Sequence, residues 1–439
     1  MSHVDSPVIA IDRLRVGQYV HLDLKWFEHP FAFGHFKIKS EEQIATLRDL
    51  GLKTVRISPE LGDPPATLPV SAAAVSAAAV DAAATVQAAT VPGAAPDLSP
   101  VMRVKRAMME EMKARREDAQ RIENAFVNSV KLIRDLEKDL YSKPLETVQQ
   151  ANKLIAQIAD AILSAPELAI QVMGDKLGGE DQYFHSLNVT VLSIMMARDL
   201  KMPVEVAGVL GVGALLHDIG RKEVPDRILL KTEALTQAER NLFEMHCHFG
   251  VEMAQRLNLA PGALAIIREH HELFDGSGYP ARLKGEAINL LARIVVIANY
   301  YDELCNPPSI ADALTPHEAL SLMFSRLRSK FDPRMLQILI RCLGVYPPGT
   351  IVQLSNGAFG MVVTVNTSRP MKPTVLVYDE DVAREEAIML DLDRETEFNI
   401  AKAIRPSQVA RNVYNYLSPR KRVSYYFDAS AARREAAKP

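Results

Sequence analysis

Residues 204–221 read VEVAGVLGVGALLHDIGR, and residues 270–280 read HHELFDGSGYP. The first is an apolar helical run, Val204 to Leu216, that leads straight into His217-Asp218. The second is a His-His pair followed by a turn rich in glycine and closed by proline. His185 lies upstream of both, and His246 lies between them. All of these histidines fall in segments whose periodicity predicts helices or helix ends. A lone histidine on an apolar helix face is most often a packing residue. A set that includes adjacent His-Asp and His-His pairs points instead to a metal site, because imidazole plus carboxylate suits Zn²⁺, Fe²⁺ and Mn²⁺. The His-Asp pair is suited to two ions, since a carboxylate bridges while the neighbouring imidazole binds one. Such a site generates hydroxide near neutral pH and clamps both oxygens of an in-line displacement.

The rest of the chain frames this region. It has 439 residues, 48% hydrophobic and 24% charged, with a net charge of −3. That composition supports several packed domains and calls for neither a duplex nucleic-acid partner nor a membrane. Cys247, Cys305 and Cys342 are odd in number and lack CxxC spacing, so a reducing, cytoplasmic setting is expected. No signal peptide is legible at the start. The fold class expected is mainly α: a helical metal-dependent domain over 173–345, a small α+β domain over 1–61, and a β-rich extension with a basic tail over 346–439. In the first of the flanking pieces, Val8–Ile11, Gln18–Leu24 and Lys53–Ile57 read as strands. Ser40 and Gln43 read as a capping box, and Gly51 as a C-cap. Residues 62–100, rich in alanine and proline, read as a linker. Residues 101–172 read as a helical connector. There Ile122, Phe126, Val130, Ile133, Leu136 and Leu140 make one apolar face, open to two readings: a stripe packed on the next domain, or a homodimer seam over 101–140. In the last piece, Gly349–Leu354, Gly360–Val365 and Pro373–Asp379 read as strands, the first two joined at Ser355-Asn356-Gly357.

The strings HDIG at 217–220, His246 with Gly250 four residues on, HHELFDGSGYP, and LKGEAINLLARIVVIAN at 283–299 occur in one order. Together they resemble the HD-GYP family, a branch of the HD-domain phosphohydrolases, over about residues 173–345. LRVGQYV at 14–20 resembles the small domain of unknown function that often precedes this catalytic domain. The resemblance implies a metal-dependent phosphodiesterase that converts cyclic di-GMP to pGpG through a metal-activated hydroxide, with GMP as a further product. It implies two divalent ions, iron or manganese, and a third in some members. Carried over by position, His185, His217 and Asp218 would hold one metal. Asp218 would bridge to a second held by His246, His270 and His271. Asp181 or its neighbour Glu180 would ligate a third. Gly278, Tyr279 and Pro280 would form a loop beside the substrate, with Tyr279 either stacking on a base or packing. In the family this loop is also linked to diguanylate cyclase (GGDEF) domains. Asp275 is expected to shape the loop.

Three departures stand out. Arg221 and Lys222 replace the family's single lysine after HDIG. Arg221 is assigned phosphate stabilisation rather than acid catalysis, because guanidinium does not readily release a proton. Asn299 replaces an aspartate that ligates the first metal; it offers a carbonyl oxygen without charge, so weaker metal occupancy and weaker hydrolysis are expected. Asp302 is the nearest acid to compensate. The arginine that usually follows is absent, leaving Arg326 and Arg328 as candidates. Two further readings stay open beside the active phosphodiesterase. One is a module that binds cyclic di-GMP or a cyclase partner without cleaving it. The other is an HD-type hydrolase of another nucleotide.

Overall fold

The computed structural model describes residues 7–63, 128–164 and 181–417, apart from positions 25–28, 30, 32–33, 232, 308, 310–311, 367–368, 381, 383, 385–386 and 396. The expected linker, the expected strand end near Leu24, Glu180, and the Ile122 and Phe126 part of the connector stripe all touch or fall outside these residues. The described residues divide into two compact units, one up to residue 63 and one from residue 128 on.

The first unit is a four-stranded antiparallel sheet with one helix. Its elements are β1 (Val8–Ala10), β2 (Tyr19–His21), β3 (His35–Lys37), α1 (Glu41–Asp49) and β4 (Thr54–Ile57), in sheet order β1-β4-β2-β3. Ile44 and Leu47 of α1 bury against Val20, Ile38 and Val55. The capping box is not formed as read. The Ser40 side chain makes no cap bond, and Gln43 Oε1 instead accepts from the Lys39 amide at 2.7 Å. β3 had no alternating apolar pattern to announce it, because its three residues are all half-buried.

In the second unit, two helices are buried on nearly every side. These are α4 (Asp181–Asp199) and α10 (Leu290–Cys305). A helix buried all round belongs at the centre of a bundle, and α4 packs against both α10 and α5 (Val204–Leu215). Around them lie α2 (128–139), α3 (Pro144–Ser164), α6 (Asp226–Leu229), α7 (Gln237–Glu244), α8 (His246–Arg256), α9 (Pro261–Glu269), α11 (Pro316–Ser325) and α12 (Pro333–Leu343). Val130, Ile133, Leu136 and Leu140 sit in the same core as α3, α4 and α5. The described half of the connector stripe is thus covered by the chain's own helices and offers no dimer seam there. Pro261 opens α9 at its first turn, where a missing amide costs nothing.

The β-rich extension is a five-stranded antiparallel sheet in the order β8-β7-β6-β5-β9, formed by β5 (Ile351–Leu354), β6 (Phe359–Thr364), β7 (Thr374–Val377), β8 (Ile388–Asp391) and β9 (Ile400–Ile404). Gly357, at φ +88°, makes the β5–β6 turn. The sequence reading found β5 to β7 but not β8 and β9, nor α13 (Arg411–Leu417), whose Val413 and Leu417 bury against Ile351 and Ile404. No helix among the described residues is long and apolar enough to cross a membrane.

Candidate metal centre

α5 ends at Leu215, and a short 3-10 turn begins at Ile219. His217 and Asp218 occupy the corner between them. The two oxygens of Asp218 face different partners. Oδ2 lies 3.4 Å from His217 Nε2 and 3.9 Å from His185 Nε2. Oδ1 lies 3.5 Å from both His246 Nε2 and His270 Nε2. His185, His217 and Asp218 therefore make one group of donor atoms able to hold an ion, and Asp218, His246, His270 and His271 make a second.

Four of the five imidazoles are oriented from behind. His217 Nδ1 donates to the Ala214 carbonyl at 2.7 Å, His246 Nδ1 to Phe243 at 2.6 Å, and His270 Nδ1 to Ile267 at 2.9 Å. A ring nitrogen facing a carbonyl must carry the proton, so Nε2 is left with its lone pair toward Asp218. Hydrogen bonds of this kind fix the tautomer of metal-binding histidines. His185 is held the same way by a carboxylate: Nδ1 meets Asp302 Oδ2 at 2.7 Å. Asp302 is fully buried, and its other oxygen accepts from Asn188 and Asn306 at 2.8 Å each. Asp302 thus orients His185 from behind instead of standing in for the aspartate missing at Asn299.

Several polar atoms here are buried without a hydrogen-bond partner: His185 Nε2, His217 Nε2, His271 Nε2 and Asn299 Oδ1. Unpaired buried polar atoms are costly, and so many in one place fit donors that await cations. Asn299, 2% exposed on α10, gives its amide N–H to Glu303 Oε1 at 3.1 Å, which frees its carbonyl oxygen. Asp181 begins α4, but its side chain lies outside the described set.

Charge follows the same geometry. Burial alone would raise the Asp218 carboxyl, but Arg221 and His217 hold it well below the usual carboxylate range. Arg221 Nε is 3.0 Å from Asp218 Oδ1, and its guanidinium lies over the Phe243 ring. Burial would lower His185, yet Asp302 and Asp218 raise it. Burial pushes Glu303 up. It also pushes His246 and His271 down, and takes His270 from 6.5 to about 4. The sign for stability follows. A depressed histidine binds fewer protons folded than unfolded, so its contribution is complete above pH 6.5 and is lost as pH falls toward 4. For His270 that amounts to on the order of 3 kcal/mol. Three histidines act in this direction and His185 in the opposite one, so the metal-free protein should melt progressively lower as pH drops from 7 to 5. A melting temperature flat across that range would contradict the burial of neutral histidines.

The loop at 271–283 is built tightly. A Cβ on Gly278 would stand 2.3 Å from the Leu273 amide nitrogen and 2.4 Å from the His271 carbonyl oxygen, so only glycine fits. Tyr279 stacks on His271, with ring centroids 4.6 Å apart, and Tyr279-Pro280 is cis. Asp275 caps the loop interior, accepting from the Ser277 amide and hydroxyl. The sequence reading missed Glu272, which is 1% exposed and accepts from the amides of Ala281 and Leu283 at 2.6 and 2.8 Å. It also missed Glu137, half-buried on α2, to whose carbonyl and carboxylate the Lys222 ammonium is bound. Lys222 is thereby engaged in holding α2, while Arg221 faces the centre. Of the other candidate arginines, Arg326 lines a cleft with Lys402 and Arg405, and Arg328 lies over Phe324.

A family model described as an HD domain matches residues 147–335. A domain of unknown function matches 8–151, and a KOW domain associated with the HD domain matches 351–412. A cyclic di-GMP phosphodiesterase of Pseudomonas aeruginosa is 30% identical over 374 residues, which is 84% of this chain and 84% of that protein. A cyclic di-GMP phosphodiesterase response regulator of Xanthomonas campestris is 38% identical over 150 residues, 34% of this chain and 39% of that protein. Among solved structures, an HDGYP protein from Bdellovibrio bacteriovorus aligns at 15% identity with a TM-score of 0.40, covering 76% of this chain and 98% of that one.

Proposed function

The chain belongs to the HD-GYP family of HD-domain phosphohydrolases, and from that premise we propose that it is a metal-dependent phosphodiesterase that hydrolyses cyclic di-GMP to pGpG. The observation that carries the reading is the Asp218 carboxylate, with one oxygen toward His185 and His217 and the other toward His246 and His270. A carboxylate so placed is suited to join two ions. His185, His217 and Asp218 would hold one, with the Asn299 carbonyl as a neutral donor; Asp218, His246, His270 and His271 would hold the other. Iron and manganese both suit imidazole and carboxylate donors. Bound there, the ions supply charge stabilisation and an activated water at neutral pH.

The chain's own residues do the rest. The Nδ1 hydrogen bonds keep Nε2 of His185, His217, His246 and His270 aimed inward before any ligand arrives, so these rings need no reorganisation at the moment of reaction. Arg221 holds a permanent positive charge beside Asp218, where a substrate phosphate oxygen would lie. Tyr279, stacked on His271, offers a flat aromatic face at the edge of the centre for a guanine ring. The exposed rim of the same loop, at Ser277 and Pro280, is the surface we assign to a diguanylate cyclase partner. Three free, buried cysteines suit a reducing, cytoplasmic setting, where the nucleotide is made and consumed.

The test is direct. Protein loaded with Mn²⁺ or, without oxygen, Fe²⁺ should convert cyclic di-GMP to pGpG in a chromatographic assay, and a chelator should stop it. A panel of other cyclic and linear dinucleotides should be cleaved more slowly. Asn299 favours a second reading, a module that binds the nucleotide with little turnover. Fully metallated protein that binds cyclic di-GMP without cleaving it would establish that reading and overturn the first.

A further inference from the structure

The metal group formed by His185, His217 and Asp218 is short of negative charge. Two divalent ions carry four positive charges between them, and Arg221 adds a fifth 3.0 Å from Asp218. Asp218 is the sole carboxylate among the described donor atoms of either group. The neighbouring acids are already engaged. Asp302 is occupied by His185, Asn188 and Asn306, and Glu137 is paired with Lys222. Where the family carries an aspartate, Asn299 brings a dipole and no charge.

One turn further along α10 stands Glu303. Its Oε1 accepts from the Asn299 amide at 3.1 Å, and among the described residues no lysine or arginine forms an ion pair with it. Glu303 is half-buried, and its charge bears on His185, Arg221 and Asp218 together. A carboxylate is costly to bury unless something cationic compensates it. A neutral amide does not do so, whereas an ion held by His185 and His217 would.

We propose that Glu303 supplies the negative charge that Asn299 lacks, and that the Asn299 amide holds the Glu303 carboxylate against the His185 and His217 metal group. The aspartate function is thus divided between two residues on one helix face, four positions apart: the carbonyl donor at Asn299 and the charge at Glu303. Glu303 is a positioning and charge-balancing residue, and the proposal rests on the two-metal reading above.

The experiment is metal titration of the full chain, stripped of metal and refilled with Mn²⁺, with elemental analysis of the gel-filtered product. Four proteins are compared: wild type, Glu303→Gln, Asn299→Asp, and the double variant. Removing a group that supports a metal ligand from behind typically costs about 10- to 100-fold in affinity. Glu303→Gln should weaken one of the two Mn²⁺ equivalents by that order and leave the other unchanged. The double variant, which returns a carboxylate at 299, should recover wild-type binding. Glu303→Gln with wild-type binding overturns the proposal, and so does a double variant as weak as Glu303→Gln alone. Should Glu303→Gln unfold, Asn299→Asp is compared with the double variant. Equal binding supports charge sharing, and a further loss overturns it. A wild-type chain that takes up no metal at all fails the two-metal reading instead, so the two failures are separable.

Discussion

Asp218→Asn is expected to empty both metal groups and to lower cyclic di-GMP turnover by roughly 10³-fold or more, the scale of losing a preorganised charge in an active site. The substitution keeps the shape of the side chain, so the effect isolates charge. In the wild type each oxygen serves a different histidine set, at 3.4 to 3.9 Å on one side and 3.5 Å on the other. An amide has one acceptor oxygen, and its NH₂ would point donors at imidazole lone pairs or at a cation. One side must therefore lose its ligand outright, and the other loses its charge. Both ions weaken together, unlike the loss at one ion expected for Glu303→Gln. Folding should be disturbed less, because Arg221, no longer paired, remains partly open to water and keeps its contact with Phe243. Elemental analysis reads the metals, and separation of nucleotide products reads the turnover. Two ions retained in Asp218→Asn would show that the carboxylate is not a bridge.

The sequence carried the histidines and aspartate because the motifs are local strings, and it carried the helices because α5 and α10 have long apolar runs. It could not carry what depends on which atom faces which. Asp302 illustrates the limit. Its distance along α10 suggested a substitute for the missing aspartate, yet it lies on the side that meets His185 Nδ1. A position three residues on rotates by most of a turn, and only the placement of α4 decides what it meets. Glu303, at the fourth position, returns to the Asn299 face. Glu137 lies 85 positions before Lys222, and no local pattern links them. The strands β8 and β9 escaped because they are separated from their partners by irregular chain. The alternation that marked β5 and β6 is weak in β9, where two successive residues are exposed.

Gly220→Ala is expected to cost more than its one methyl group suggests. A Cβ there would stand 2.0 Å from the His246 carbonyl oxygen, 2.4 Å from the Gly250 nitrogen and 2.9 Å from Gly250 Cα. All three are backbone atoms of α8, so no side-chain rotation relieves the clash. The turn at Ile219–Glu223 and helix α8 cross here with glycine on both sides, which is why His246 and Gly250 are spaced by one helical turn. Any separation moves His246 away from Asp218, 3.5 Å from it and shared by both groups. Overpacking of this kind typically costs about 1–3 kcal/mol, and here the backbone contacts favour the upper end. A displacement near 1 Å at a reacting centre is worth roughly 10²-fold in rate, so turnover should fall at least that far even in the folded fraction. Gly208→Ala is the matched control. A Cβ there, on the α-helical backbone of α5, meets nothing within 4 Å, and replacing a helical glycine by alanine should raise stability by up to about 1 kcal/mol. Thermal melts of the two variants should move in opposite directions, with metal content lost only in Gly220→Ala. A Gly220→Ala protein that melts with the wild type and keeps both ions would mean that α8 can retreat without carrying His246 with it.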